Sequence, residues 1–128
     1  MGQFKVYARR SEWIDRREAL SDQLHAALVS AWQFPQEKRF QRFLWMDDDD
    51  LVAPQRGPGY LVVELVAFSG RSPEAKRELI REVFTRVCGT FDLPVADLEL
   101  VILESPRMNW GIRGVSGDEL TLGYTVTV

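Results

Sequence analysis

The stretch Leu61–Phe68, LVVELVAF, constrains the fold more than any other part of the chain. In an extended strand, Leu61, Val63, Leu65 and Ala67 share one face. Val62, Val66 and Phe68 share the other, and Glu64 is the one charge. A strand apolar on both faces has to be covered on both. Ser69-Gly70 then turns the chain. Ser72 suits a helix N-cap and Pro73 the first helical position, where a missing N–H costs nothing. The strand therefore feeds a helix N-terminus, with Arg71 standing in the turn. The free N–H groups and partial positive charge of that end, joined by a guanidinium, make a candidate site for a small carboxylate.

The same order occurs upstream. Gln3–Ala8 alternates as a strand, Arg9-Arg10 turns the chain and Ser11 can cap. Glu12 to Trp32 is helical, with Leu20, Leu24, Leu28 and Ala31 on one stripe. Gln33-Phe34-Pro35 ends that helix, and Gln41–Met46 is the next strand. In the second half a helix runs from Pro73 to about Gly89, with Leu79, Ile80, Val83, Phe84 and Val87 on its buried side. Phe91-Asp92-Leu93-Pro94 ends it, and Leu98–Glu104 is the last strand of the repeat. From capping Ser to Pro the spacing is 24 residues in the first half (11 to 35) and 22 in the second (72 to 94).

This is a duplicated β-α-β pattern, each unit with a right-handed crossover. The expected fold is α/β (α+β) in a single domain over residues 1–128. The first unit covers about 3–46, the second about 60–105, and an arm follows over about 106–128. Four strands form one mixed sheet with two helices on one face. The other face keeps apolar side chains in at least three strands, so another subunit is expected to bury it. Leu120, Leu122, Tyr124, Val126 and Val128 alternate as a strand that would join a sheet edge, a neighbouring subunit's or its own. Trp110–Gly114 reads as an irregular loop holding an aromatic and a cation, and Ala53–Gly59 as a loop by its prolines and glycines.

Charge and cysteine content narrow the function. A net charge of −3 and a pI near 5.2 argue against nucleic acid or an acidic membrane as partner. No apolar run is long enough to span a bilayer, and the first residues lack a signal-peptide core. One cysteine, Cys88, excludes an internal disulfide and fits a reducing, cytoplasmic setting. Four residues after Phe84, it packs in a helix core. Asp47–Asp50 reads as a solvated loop or helix start, because consecutive carboxylates rarely converge on one ion. His25 has no Ser or Cys nucleophile at a recognisable spacing. The four tryptophans and the phenylalanines belong to core or interface more often than to a site.

Taken together, the duplication, Gly70-Arg71-Ser72 at a helix start, Phe34-Pro35 followed by Arg39-Phe40-Gln41, and Asn109-Trp110 before a terminal strand resemble the tautomerase superfamily. Within it the chain is most similar to the malonate semialdehyde decarboxylase branch. The resemblance implies a homotrimer whose sheets face inward, with active sites near subunit boundaries. It implies tautomerisation, dehalogenation or decarboxylation of small oxo acids and related carboxylates, with no metal or organic cofactor. The family's catalyst is an amino-terminal proline, and this chain has Gly2 at that place. The branch's Asp after the Pro turn is matched by Lys38. Of its two arginines around the second-half turn, Arg71 matches one and Ser69 stands at the other. Arg10 is a candidate first-half counterpart, in a shorter turn without the glycine. Arg39, Trp110 and Arg113 complete the expected pocket.

A glycine amine titrates near ~7.7–8.0, and burial beside Arg71 would lower it. It could then accept a proton, or form an imine with a carbonyl as Lys does. With Met1 retained, the amine lies one residue further along, ~3.8 Å by Cα spacing. Two functions follow from the resemblance. One is a weak tautomerase- or decarboxylase-type enzyme acting on a small oxo-acid or enol carboxylate. The other is a carboxylate-binding or scaffold trimer that has lost proline-based chemistry.

Overall fold

The computed structural model describes residues 1–121. β1 (Gly2–Arg9) leads straight into a four-residue helix, α1 (Arg10–Trp13). A 3-10 turn over Ile14–Arg16 follows, and then α2 (Arg17–Trp32) and β2 (Gln41–Met46). The second half repeats the order with β3 (Leu61–Phe68), α3 (Pro73–Phe91) and β4 (Leu98–Ser105).

β1 runs parallel to β2, and β3 parallel to β4, as a strand–helix–strand crossover requires. β1 and β3 pair antiparallel in the middle, from Gly2 opposite Ala67 to Ala8 opposite Leu61. The sheet order is thus β2-β1-β3-β4, mixed and built of two similar halves. α2 and α3 pack together on one face. Beneath them lie Phe4, Val6 and Ala8 of β1 and Leu61, Val63, Leu65 and Ala67 of β3, all buried.

The opposite face is open in this single chain. Leu44, Val101 and Leu103 are 40–42% exposed there. Glu64 sits among them, accepting from Tyr7 Oη at 3.2 Å and facing Lys5 Nζ at 3.5 Å.

Local chemistry explains the boundaries. Ser72 Oγ accepts from the Ala75 N–H at 3.1 Å, and Pro73 opens α3. Both helices of the repeat end on a left-handed residue, Gln33 (φ 52°) and Asp92 (φ 51°), each ahead of a proline. His25 is buried and satisfied, its Nε2 donating to the Gln36 carbonyl at 2.8 Å. Cys88 is partly buried against the core, and burial, then Asp97, pushes its thiol up. Among the described residues no helix is long and apolar enough to cross a membrane.

Four sequence expectations need correction. Ile80, expected on the buried side of α3, is 38% exposed. Ser11 is no cap: the helix begins at Arg10, and Ser11 Oγ donates instead to Asp48 Oδ1 at 2.6 Å. The helix read as continuous from Glu12 to Trp32 is broken at Ile14–Arg16. Trp13, just before the break, is fully buried, its Nε1 donating to the Gly59 carbonyl at 2.9 Å and its ring edge-on to Phe91 at 5.0 Å. The Trp110–Gly114 loop contains a small hairpin, β5 (Gly111–Ile112) with β6 (Val115–Ser116). Its turn residues Arg113 and Gly114 both have positive φ, as a twist-matched two-residue turn needs. Of the expected terminal strand, residues 122–128 lie outside those described.

Ser72→Ala removes the cap of α3 and should cost about 1 kcal/mol in urea denaturation. Ser11→Ala removes no cap and should stay within about 0.5 kcal/mol. Equal losses from the two variants would contradict this asymmetry.

Candidate active site

The register of β1 on β3 carries the start of the chain to the far end of β3. Gly2 lies opposite Ala67, and the Phe68 N–H donates to the Met1 carbonyl at 3.1 Å. Just beyond, the backbone turns at Gly70, whose φ of 129° favours glycine. Arg71 follows.

Arg71 is 7% exposed. Its guanidinium lies 4.6 Å from the Trp32 ring centroid, and Nη1 donates to the Trp32 carbonyl at 3.4 Å. Trp32 ends α2, so the guanidinium meets the electronegative end of that helix. Trp32 Nε1 donates to the Ala75 carbonyl at 2.9 Å, tying the end of α2 to the start of α3. The left-handed Gln33 then sends Phe34 back under the chain start. Phe34 Cε1 and Leu65 Cδ1 lie 3.5 and 3.6 Å from where a Cβ on Gly2 would stand. Lys38 is half-buried in the turn after Pro35, to whose carbonyl it donates at 3.1 Å.

Arg107 closes the other side. It lies in a 3-10 turn after β4, its guanidinium 5.5 Å from the Phe68 ring centroid. Nε donates to the Gly117 carbonyl at 3.1 Å and Nη2 to the Leu120 carbonyl at 2.6 Å, which fastens the arm. Trp110 sits edge-on to Phe68, ring centroids 5.1 Å apart. Its indole N–H is buried and meets no acceptor among the described residues.

These groups set the chemistry of the terminal amine. Its pKa falls from the ordinary 8.0 to about 5. Burial is the largest cause, because it disfavours the ammonium form. The charges of Arg71, Lys38 and Arg107 follow in that order. At neutral pH the amine is therefore unprotonated.

Of the residues singled out from sequence, Arg71 and Lys38 lie close enough to the amine to act on it, and Trp110 packs beside Phe68. Gly2 is buried, its nitrogen in peptide linkage to Met1, so the amine belongs to Met1. Ser69 is exposed, its N–H donating to the Ser105 carbonyl at 3.0 Å. Arg39 is exposed and pairs with Asp22 at 2.6 Å. Arg113 is exposed at the hairpin turn, and Arg10 at the opposite end of β1. Arg107 was not anticipated; it follows a strand in a segment with no periodic pattern. Two shallow hollows lie elsewhere, about 260 Å³ beside Gln3 and Arg42 and about 380 Å³ beside Arg10 and Asp48, and the terminal amine lines neither. Among the described residues no His, Cys, Asp or Glu cluster could hold a metal ion.

A family model described as "Tautomerase enzyme" matches residues 38–113, more than half of the chain. The chain belongs to the tautomerase family. It is 34% identical over 55 residues to a 2-hydroxymuconate tautomerase of Stutzerimonas stutzeri, covering 43% of this chain and 87% of that one. A 2-hydroxymuconate tautomerase of Pseudomonas putida is 34% identical over 59 residues, 46% of this chain and 94% of its own. Less than half of this tautomerase-family chain thus matches nearly a whole relative, as a duplicated chain would. Among solved structures, a native fused 4-OT has a TM-score of 0.84 at 21% identity, covering 92% of this chain and 98% of that one. The FG41 malonate semialdehyde decarboxylase inhibited by 3-bromopropiolate has a TM-score of 0.81 at 22% identity, covering 94% and 98%. At such identities these structures establish a shared fold.

The lowered amine pKa fixes a pH dependence. The unfolded chain protonates its amine near 8.0 and the folded chain only near 5. Between those values the unfolded state binds more protons, so stability should rise with pH and then level off. The melting temperature of N-terminally acetylated protein should lack this rise. An NMR titration of the labelled amine should give a midpoint near 5, and Arg71→Gln should raise it.

Proposed function

We propose that this tautomerase-family protein binds a small oxo-acid or enol carboxylate beside its terminal amine. There the amine moves a proton, with weak tautomerase- or decarboxylase-type activity and no metal or organic cofactor. The observation that carries the reading is the gathering of Arg71, Lys38 and Arg107 about one amine whose ammonium form they disfavour. Arg71 would hold the carboxylate: its guanidinium is buried over the Trp32 ring, where a charged hydrogen bond gains strength out of water. Lys38 and Arg107 add positive charge on either side. Phe34 lies against Gly2 beside the amine, and burial is the largest cause of the lowered amine pKa. The relatives named 2-hydroxymuconate tautomerase and the neighbour titled malonate semialdehyde decarboxylase support the substrate class.

Activity is expected to be weak because Gly2 stands where the resemblance places the catalytic proline. The amine of Met1 is one residue further out, and a misplacement of ~1 Å already costs about a hundredfold. The Met1 carbonyl accepts from Phe68 as one more rung of the β1–β3 pairing, which favours a second reading. On that reading the chain is a carboxylate-binding or scaffold protein. Intact mass separates the routes: loss of Met1 brings the amine to Gly2 and favours catalysis.

The protein should be a homotrimer. The open sheet face with Leu44, Val101 and Leu103 has to be covered, and the neighbours include fused 4-OT chains described as asymmetric and symmetric trimers. One domain per chain and a cytoplasmic setting complete the proposal, the latter supported by the single cysteine.

Ketonisation of an enol pyruvate, followed by ultraviolet absorbance, tests the activity. Arg71→Gln should lower kcat/KM by roughly 10- to 100-fold, the weight of one charged hydrogen bond. An unchanged kcat/KM removes Arg71 from the site. Light scattering should give the trimer mass; a stable monomer would contradict the assembly.

A further inference from the structure

A secondary amine and a primary amine differ in what they do to a carbonyl. A primary amine can end as an imine, and the amine of this chain is primary whether Met1 stays or leaves. We propose that the terminal amine condenses with small 2-oxo acids to give an imine at C2, and that this imine exchanges the hydrogens of C3 through an enamine. The proposal rests on the carboxylate-binding reading above and names a covalent activity for the same site.

The geometry supports it from three sides. The terminus is held in place by the Phe68 N–H on the Met1 carbonyl and by Gly2 opposite Ala67, so the nitrogen is not on a loose tail. Phe34 and Leu65 lie against Gly2, an apolar floor that favours loss of water from the carbinolamine. Burial, and after it the charges of Arg71, Lys38 and Arg107, keep the amine unprotonated, as a nucleophile must be.

The same cations pose an electrostatic problem that the substrate solves. An iminium ion adds positive charge to a site that already disfavours it. A 2-oxo acid brings a carboxylate one bond from the reacting carbon, and that charge offsets the iminium while Arg71 orients it. Ketones without a carboxylate lack this compensation and should react poorly.

The step balances without an oxidant or reductant. The nitrogen lone pair attacks C2, and the carbonyl oxygen takes two protons and leaves as water. A C3–H bond then breaks, its electron pair moving into the C2–C3 bond as the C=N pair returns to nitrogen, and the proton goes to water. Return of a solvent proton and hydrolysis restore the 2-oxo acid and the amine.

The test uses the whole chain with pyruvate in deuterated buffer. Proton NMR follows loss of the methyl signal, and cyanoborohydride trapping with peptide mapping locates any adduct. Deuterium exchange together with a reduced adduct on the N-terminal peptide is the expected result. Acetone at the same concentration should trap at least about tenfold more slowly, since it brings no charge for Arg71. N-terminal acetylation, with the fold verified by circular dichroism, should abolish both exchange and adduct. Exchange with no N-terminal adduct, or adducts on lysines alone, overturns the imine and leaves the amine as a simple base. If pyruvate gives neither signal and Arg71→Gln leaves enol-pyruvate turnover unchanged, the carboxylate-binding reading falls as well.

Discussion

The antiparallel register between β1 and β3 decides where chemistry can happen in this chain. Gly2 opposite Ala67 carries the terminal amine to the end of β3, and the turn after β3 is where Arg71 stands. A slip of one residue would exchange the two faces of β1 and bury Lys5 and Tyr7 in place of Phe4, Val6 and Ala8. The core therefore holds the register, and the register holds the site. The residues beneath the helices thereby fix the position of the amine.

The duplication makes the two ends of the β1–β3 pair alike in backbone and unlike in chemistry. At the end with Ala8 opposite Leu61 the chain continues through Tyr60, so there is no amine. Arg9 fills that end, donating to the carbonyls of Asp48 at 3.3 Å, Leu51 at 2.6 Å and Pro58 at 3.1 Å. Asp97 holds the same loop, its Oδ1 accepting from the Gly57 N–H at 2.9 Å. A Cβ on Gly57 would come within 2.6 Å of Asp97 Oδ2, so the loop is packed too tightly for a side chain there. One end of the repeat is thus closed by structural hydrogen bonds. The other is lined by cations.

Much of this was legible in the residues, and the remainder has physical reasons. β2 could be placed at Gln41–Met46 because alternation and a preceding proline bound it on local grounds. Arg71 could be singled out because a buried strand, a glycine turn and a Ser-Pro helix start follow in direct succession. Ser11 misled because the same Arg-Ser pair occurs upstream, but α1 starts without a turn and the hydroxyl is taken by Asp48. Arg107 was beyond reach: it acts through the pairing of β3 with β4, which sets Ala67 opposite Glu104 and Phe68 opposite Ser105, and no local pattern carries that. Arg39 follows the Pro turn as Lys38 does, but it pairs with Asp22 on α2 while Lys38 lies near the amine. Adjacent residues in a turn point apart, and sequence order alone does not say which way.

Position 2 shows how packing and chemistry separate. A Cβ there would meet Phe34 and Leu65 at 3.5–3.6 Å, ordinary van der Waals contact, so the fold does not require glycine. Alanine should be accommodated at this buried position. What the surroundings do select is the state of the nitrogen ahead of it. Burial, then the cations Arg71, Lys38 and Arg107, oppose protonation of the Met1 amine through desolvation and charge. The surroundings therefore hold this amine in its unprotonated form. The identity of the first residue then decides reach: each added residue moves the nitrogen by about one Cα spacing, ~3.8 Å, which is larger than the tolerance of any proton transfer. If the proposed carboxylate binding beside Arg71 holds, removal of Met1 is the step that would shift the nitrogen by that spacing.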